Sequence, residues 1–266
     1  MNALTSVFDK AREKGRAALI PYVTAGYPTL ARLPGIVAAL TEAGADIIEI
    51  GIPFSDPLAD GPVLQRAATE ALAQGTRVSA ILETVRELAP ISPPLVFLTY
   101  INPVFRYGVA RFSRDARDAG MAGLIIPDLP WAEGQDLRLA AEASGLAVIP
   151  LVAPTSTDRH LQSIRTAKGF VYGVSVTGVT GMREAVDTGV RALVERVKRV
   201  VPLPVAVGFG IANAAQAREV ARYADGVIVG SALVKAIMDD PAHAEEQAYA
   251  FVKDLKSGLS QVRTKA

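Results

Sequence analysis

Glu49 and Asp60 are the residues of this chain best placed to do chemistry. They bracket the stretch Ile48-Glu49-Ile50-Gly51-Ile52-Pro53-Phe54-Ser55-Asp56-Pro57-Leu58-Ala59-Asp60-Gly61. Its beginning has the composition of a buried strand. Side chains alternate along a strand, so Glu49 shares a face with Ile47 and lies opposite Ile48 and Ile50. A carboxylate among such neighbours is costly to bury unless it is paired, protonated or used. A Gly/Pro-rich loop follows and returns with the second acid. Two carboxylates in unlike surroundings suffice for general acid–base work. At this level Asp60 also reads as the cap of a helix beginning near Pro62. Asp56 and Asp128 are open to the same reading, as caps or loop ligands.

Other unusual residues fall at predicted strand ends: Tyr22 and Thr24, Tyr100 and Asn102, and Tyr172. A second set is rich in glycine. It comprises Ser175-Val176-Thr177-Gly178-Val179-Thr180-Gly181, Gly208-Phe209-Gly210-Ile211-Ala212, and Gly230-Ser231 before a short helix over Ala232 to Met238. Glycines let backbone approach an anion, and a helix N-terminus offers free N–H donors. Three such loops on one face point to phosphate, although each alone could be an ordinary turn or cap.

Several chemistries are excluded. The chain has no cysteine and only two histidines, His160 and His243, both expected on helix surfaces. No His/Asp/Glu spacing suits a metal site. No lysine falls at a strand C-terminus: Lys168 starts a strand and Lys235 lies in a helix. A Schiff-base nucleophile is therefore lacking, and no Ser-His-Asp set is visible.

The elements that position these residues follow from the pattern. Strands are expected near 18–24, 46–51, 95–100, 122–127, 146–151, 170–175, 203–208 and 225–230. Amphipathic stretches such as Ala110–Ala119 and Trp131–Ser144 separate them. The longer gap after the second strand holds the Glu49–Asp60 loop and two helical pieces, Val63–Gln74 and Val78–Leu88. Eight strand–helix units imply a parallel sheet, either a doubly wound open sheet or a closed barrel. The count favours an α/β fold, a single-domain (β/α)₈ TIM barrel over 1–266. Extra N-terminal (about 3–14) and C-terminal (about 242–257) helices complete it. Half the 266 residues are hydrophobic and the formal net charge is +1. This balance argues against a dedicated nucleic-acid or membrane-surface binder. No secretory signal or spanning segment is read, so a cytoplasmic location is expected.

The stretch Ile48 to Gly61 closely resembles the signature of the tryptophan synthase alpha chain family. The resemblance extends to Pro21-Tyr22-Val23-Thr24-Ala25-Gly26-Tyr27-Pro28, Gly178-Val179-Thr180-Gly181, Gly208-Phe209-Gly210-Ile211 and Gly230-Ser231-Ala232. It implies a (β/α)₈ barrel that cleaves indole-3-glycerol phosphate to indole and glyceraldehyde 3-phosphate. The substrate's indolenine form serves as the electron sink, so no cofactor is implied in this chain. By the same resemblance Glu49 transfers protons and Asp60 accepts a hydrogen bond from the ring N–H. Glu49 should have a raised pKa and Asp60, in a polar loop, should stay ionised. Tyr172 matches the family's active-site tyrosine, and Thr180 lies in its closing loop. Tyr22, Tyr100 and Phe209 are placed with the substrate site. Gly181, Gly210, Gly230 and Ser231 match the phosphate cradle. Tyr22 stands where many relatives have Phe, adding a hydroxyl that needs a partner. Val176 stands where some have Arg.

The implied partner is the tryptophan synthase beta chain in an α₂β₂ complex, which carries the pyridoxal phosphate. Pro53, Asp56 and Pro57 would lie at that interface, in a loop expected to order on binding. A stand-alone indole-releasing lyase and a catalytically silent activating subunit are the alternatives.

Overall fold

The computed structural model describes residues 3–174, 183–208 and 210–260, without the side chains of 183–188. Its sheet is wholly parallel, in the order β5-β4-β3-β2-β1-β9-β8-β7-β6. The strands are β1 (Ala18–Thr24), β2 (Ile48–Gly51), β3 (Leu95–Leu98), β4 (Gly123–Ile125), β5 (Ala147–Val148), β6 (Leu151–Val152), β7 (Val171–Val174), β8 (Val205–Gly208) and β9 (Gly226–Val229).

The two ends of that order are neighbours in sequence, so the sheet curls round on itself. The expected fifth strand is split into β5 and β6 at Ile149-Pro150. Proline has no N–H to give to a ladder. The Ile149 N–H still bonds Leu124 O at 2.8 Å, whereas the Pro150 carbonyl accepts the Tyr172 N–H at 2.9 Å. The chain thus leaves β4 and joins β7 within two residues, which closes an eight-stranded barrel. Every other expected strand is present, most of them shorter at their ends.

The inward positions build the barrel interior. Ala18, Ile20, Ile47, Val96, Ile125, Ala147, Ile149, Phe170, Ala206 and Ile228 form one cluster. Helix α1 (Ala3–Glu13) plugs its lower end with Leu4, Phe8 and Ala11. Burying Leu4 or Phe8 is worth about 1.5–3 kcal/mol each relative to exposure. The outward residues, among them Leu19, Ile48 and Ile50, pack under the helical ring with Ile36, Val37 and Leu40 of α2 (Leu33–Ala43). Glu49 therefore points inward, as its alternation with Ile48 and Ile50 requires.

Further helices cover the barrel: α3 (Pro62–Ala73), α4 (Val78–Leu88), α5 (Ile101–Tyr107), α6 (Val109–Asp118), α7 (Gln135–Ala143), α8 (Asp158–Ser163), α9 (Arg183–Val200), α10 (Ala214–Ala221), α11 (Ser231–Asp239) and α12 (Ala244–Leu259). The short α5 is the element the sequence pattern did not separate. Asn102, expected at the end of a strand, lies in its first turn. No described helix is long and apolar enough to cross a membrane.

Candidate active site

On three strands, β1, β2 and β7, the inward position after the apolar layer carries a polar group. Above Ile20 come Tyr22 and Thr24; above Ile47 comes Glu49; above Phe170 comes Tyr172. Tyr22 and Glu49 are paired across β1 and β2, and Tyr172 lies in the middle of β7. This stacking places the chemistry at the C-terminal mouth of the barrel, where barrel enzymes carry their sites.

Glu49 is 1% exposed. Its Oε2 has no hydrogen-bond partner. Burial, and next the charge of Asp60, push its pKa up to about 8. At pH 7 it is mainly a neutral acid with a proton to give. Asp60, in the loop after β2, comes close enough for its charge to act on Glu49. Its backbone is used elsewhere: its N–H bonds Pro57 O at 3.0 Å and its carbonyl accepts Gln65 Nε2 at 2.8 Å. Gly61 occupies the cap position of α3, so the Asp60 side chain does not serve as a helix cap. Burial raises its pKa to about 6, opposed by the Tyr100 hydroxyl. The expectation of a merely polar loop is corrected here. Asp60 is half-buried, yet still mostly ionised at pH 7.

Tyr100 anchors the loop. Its hydroxyl accepts the Ala59 N–H at 2.9 Å, and its ring meets Phe54 at 5.4 Å between centroids. Burial raises the pKa of both Tyr172 and Tyr22, with Glu49 the next cause for Tyr172 and Asp60 for Tyr22. Among the described residues, Tyr22, Glu49, Asp60, Tyr100 and Tyr172 thus share one electrostatic environment.

Two glycines in strands make the room, a role the sequence reading missed. A Cβ at Gly51 would lie 2.0 Å from the Tyr22 oxygen, and one at Gly208 would lie 2.5 Å from the Tyr172 oxygen. Glycine inside a strand often marks such close approach. Gly51→Ala must displace the Tyr22 ring and should cost about 1–3 kcal/mol of stability. A shift in the urea midpoint measures it, and an unchanged midpoint would refute the tight fit.

The candidate phosphate cradle is partly described. Gly210 has φ of 60° and is exposed. Gly230 is the N-cap of α11, which opens at Ser231. The first N–H groups of such a helix have no intrahelical acceptor. Strands β7, β8 and β9 are adjacent, so their C-terminal ends lie together on one side of the barrel. Thr180, Gly181 and Phe209 lie outside the described residues.

Remaining assignments divide. Asp128 accepts the Ile101 N–H at 2.9 Å, so it caps α5. Among the described residues no three His, Cys, Asp or Glu side chains could hold a metal ion. His243 is exposed, but His160 is half-buried with Nε2 2.9 Å from Leu151 O, so it is not a surface residue. In the loop after β2, Pro53 is buried, Pro57 half-buried and Asp56 exposed. That loop already carries turns, with Leu58 N–H to Asp56 O at 2.9 Å and Ser55 Oγ to Asp56 Oδ2 at 2.5 Å.

Comparison with known proteins agrees with this architecture. Residues 8–261 match the family model described as tryptophan synthase alpha chain. The tryptophan synthase alpha chain of Methanosarcina barkeri is 48% identical, over 97% of each chain. That of Citrifermentans bemidjiense is 47% identical, over 97% of this chain and 98% of the relative. A solved structure of tryptophan synthase from Mycobacterium tuberculosis superposes with a TM-score of 0.89 at 44% identity, covering 97% of this chain and 98% of that one. The alpha subunit from Legionella pneumophila reaches 0.90 at 32% identity, with coverage of 97% and 98%. The chain belongs to the tryptophan synthase alpha chain family.

Proposed function

We propose that this chain, acting as one barrel domain, cleaves indole-3-glycerol phosphate to indole and glyceraldehyde 3-phosphate. The observation that carries the reading is Glu49: a buried acid inside the barrel with an unpartnered Oε2, its pKa raised by burial and by the nearby Asp60. The Glu49 carboxyl gives its proton to indole C3. Asp60 accepts the ring N–H and stabilises the indoleninium cation. The bond between C3 and the glycerol carbon then breaks, and its electron pair restores the aromatic ring. Glu49, now a carboxylate, takes the proton of the adjacent hydroxyl, which becomes the aldehyde. Protons and electrons balance without an outside reagent, so no cofactor is required of this chain.

The roles of the remaining residues follow. Tyr22, Tyr100, Tyr172 and Phe209 wall the indole site, with Thr180 in its closing segment. Gly181, Gly210, Gly230 and Ser231 hold the phosphate. A beta chain bearing pyridoxal phosphate docks at Pro53, Asp56 and Pro57 in an α₂β₂ assembly of the cytoplasm. Supporting this, Leu58 is 91% and Phe105 59% exposed, and a groove of about 820 Å³ is lined by Pro53, Phe54, Asn102 and Arg106. Exposed large apolar side chains mark contact surfaces when they form a patch.

The test mixes the chain with indole-3-glycerol phosphate and follows indole, with and without the beta chain. Indole release that rises at least about tenfold with partner is expected. No release under either condition refutes the activity. Equal release refutes partner activation and leaves a stand-alone lyase.

A further inference from the structure

A second cavity, of about 230 Å³, opens between the segment after β4, the corner joining β5 to β6, and α8. Asp128, Leu129, Trp131, Arg138, Leu151 and His160 are among the residues that line it. None of Tyr22, Glu49, Asp60, Tyr100 and Tyr172 does, so it is separate from the two acids and their tyrosines. Beyond Asp128, Arg138 and His160 its wall is apolar, with Ile126 and Val148 on opposite sides. A few fixed polar groups in an apolar wall are the usual make-up of a small-molecule site.

The three titratable groups are not equally free. His160 Nε2 lies 2.9 Å from Leu151 O. A carbonyl only accepts, so the ring N–H is spent there. Asp128 gives one oxygen to the Ile101 N–H at 2.9 Å. Arg138 differs. Its guanidinium stacks over the Trp131 ring, 4.5 Å from the centroid, and its Nη1 donates to the Trp131 carbonyl. Glu142, one turn along α7, is taken by Lys168. Burial pulls the Arg138 pKa down and no acid acts in the other direction. A cation drawn partly out of water calls for an opposite charge. The stack fixes the plane of the guanidinium, and a fixed fork matches a carboxylate in two parallel bonds. Asp128 sets a limit, since a doubly charged anion would meet its carboxylate in the same cavity.

We propose that this cavity binds a small monocarboxylate with an apolar body, the carboxylate on Arg138 and the hydrocarbon against Trp131 and Leu151.

Trp131 is the chain's one tryptophan, so its emission reports on this wall alone. The probe is cyclohexanecarboxylate, which is transparent where tryptophan is excited. Cyclohexanecarboxamide is its neutral twin, and inorganic phosphate is an anion without an apolar body. Calorimetry reads affinity and emission reads location. The acid should bind with a saturable change in Trp131 emission, at least about tenfold more tightly than the amide or phosphate. Arg138→Gln should bring acid and amide within about threefold of each other. Heat without a change in emission puts the binding elsewhere and overturns the proposal, as does the absence of both up to about 10 mM. Equal affinity for acid and amide in the native chain, or a tenfold preference that survives in Arg138→Gln, removes the guanidinium from recognition and overturns it too. Phosphate binding as tightly as the acid overturns the choice of ligand. None of these readings needs turnover, so a chain that released no indole would sink the proposed function and still decide this one.

Discussion

Glu49→Gln should abolish indole release and at the same time make the protein more stable at pH 8. The first effect follows from the proposed chemistry. Glutamine can neither protonate C3 nor accept the hydroxyl proton. General acid–base catalysis is worth roughly 10²–10⁴-fold, and here one residue performs both transfers, so a loss of at least about 10³ is expected. The second effect follows from linkage. The carboxyl of Glu49 is raised from 4.5 to about 8 by burial and by Asp60. Between those values the folded chain binds more protons than the unfolded one, so its stability falls as pH rises. Glutamine has no proton to lose and escapes this fall. The gain should be absent near pH 4, grow through pH 6 and reach about 2 kcal/mol by pH 8, allowing for its own buried amide. Urea unfolding at pH 5 and pH 8, alongside the indole assay, measures both. Full activity in the variant removes Glu49 from the mechanism. A variant less stable than wild type at pH 8 would show that the carboxylate is solvated or paired.

How much of this was legible beforehand depends on how local each signal is. The inward direction of Glu49 needs only the alternation of Ile48, Glu49 and Ile50 about a strand. The eight strand positions need only β-branched runs and turn residues. The break between β5 and β6 is local too, since Pro150 announces it, but its consequence is not. Only the closed barrel shows that the two halves of one strand pair with different neighbours. Asp60 was the harder case. Its loop is polar in composition, yet Tyr100, just after β3, holds that loop at the Ala59 N–H, and the carboxylate is half-buried. Composition cannot report a lid supplied by a residue forty positions away. Asp128 was open to reading as a helix cap and does cap one, but which helix it serves was not local. Nothing in its own neighbourhood says that the N-terminus of α5 lies beside it. The room made by Gly51 and Gly208 belongs to this class as well, because a cross-strand tyrosine gives each glycine its purpose.

The largest loss of stability is expected from a residue outside the site, Asp46→Ala. Asp46 precedes β2 and joins three distant parts of the chain. It accepts both Arg16 guanidinium N–H groups at 2.7 and 2.8 Å, Lys256 Nζ of α12 at 2.7 Å, and the Leu19 N–H of β1 at 2.8 Å. The three side chains are 13%, 13% and 20% exposed for Arg16, Asp46 and Lys256. Burial alone would raise the Asp46 pKa, but Arg16 and Lys256 more than offset it and the net shift is downward. A pair this enclosed is weak evidence of net stabilisation when both partners are weighed against apolar replacements. Removing one partner is different. The alanine variant strands two cations away from bulk water and loses the acceptor of the Leu19 N–H. The expected cost is about 3–5 kcal/mol. An exposed pair gives the contrast. Arg12 and Asp9 meet at 2.8 Å with 72% and 36% exposure, and Asp9→Ala should cost less than about 1 kcal/mol. The pH dependence supplies a second check. A depressed carboxylate contributes stability that is complete above its unfolded pKa near 4 and is lost as pH falls through the lower folded value. The gap between wild type and Asp46→Ala should therefore be full at pH 7 and shrink only in strong acid. Urea midpoints at pH 7 and pH 3 test both statements. Equal costs for Asp9→Ala and Asp46→Ala would mean that the buried triad does nothing an ordinary surface pair does not.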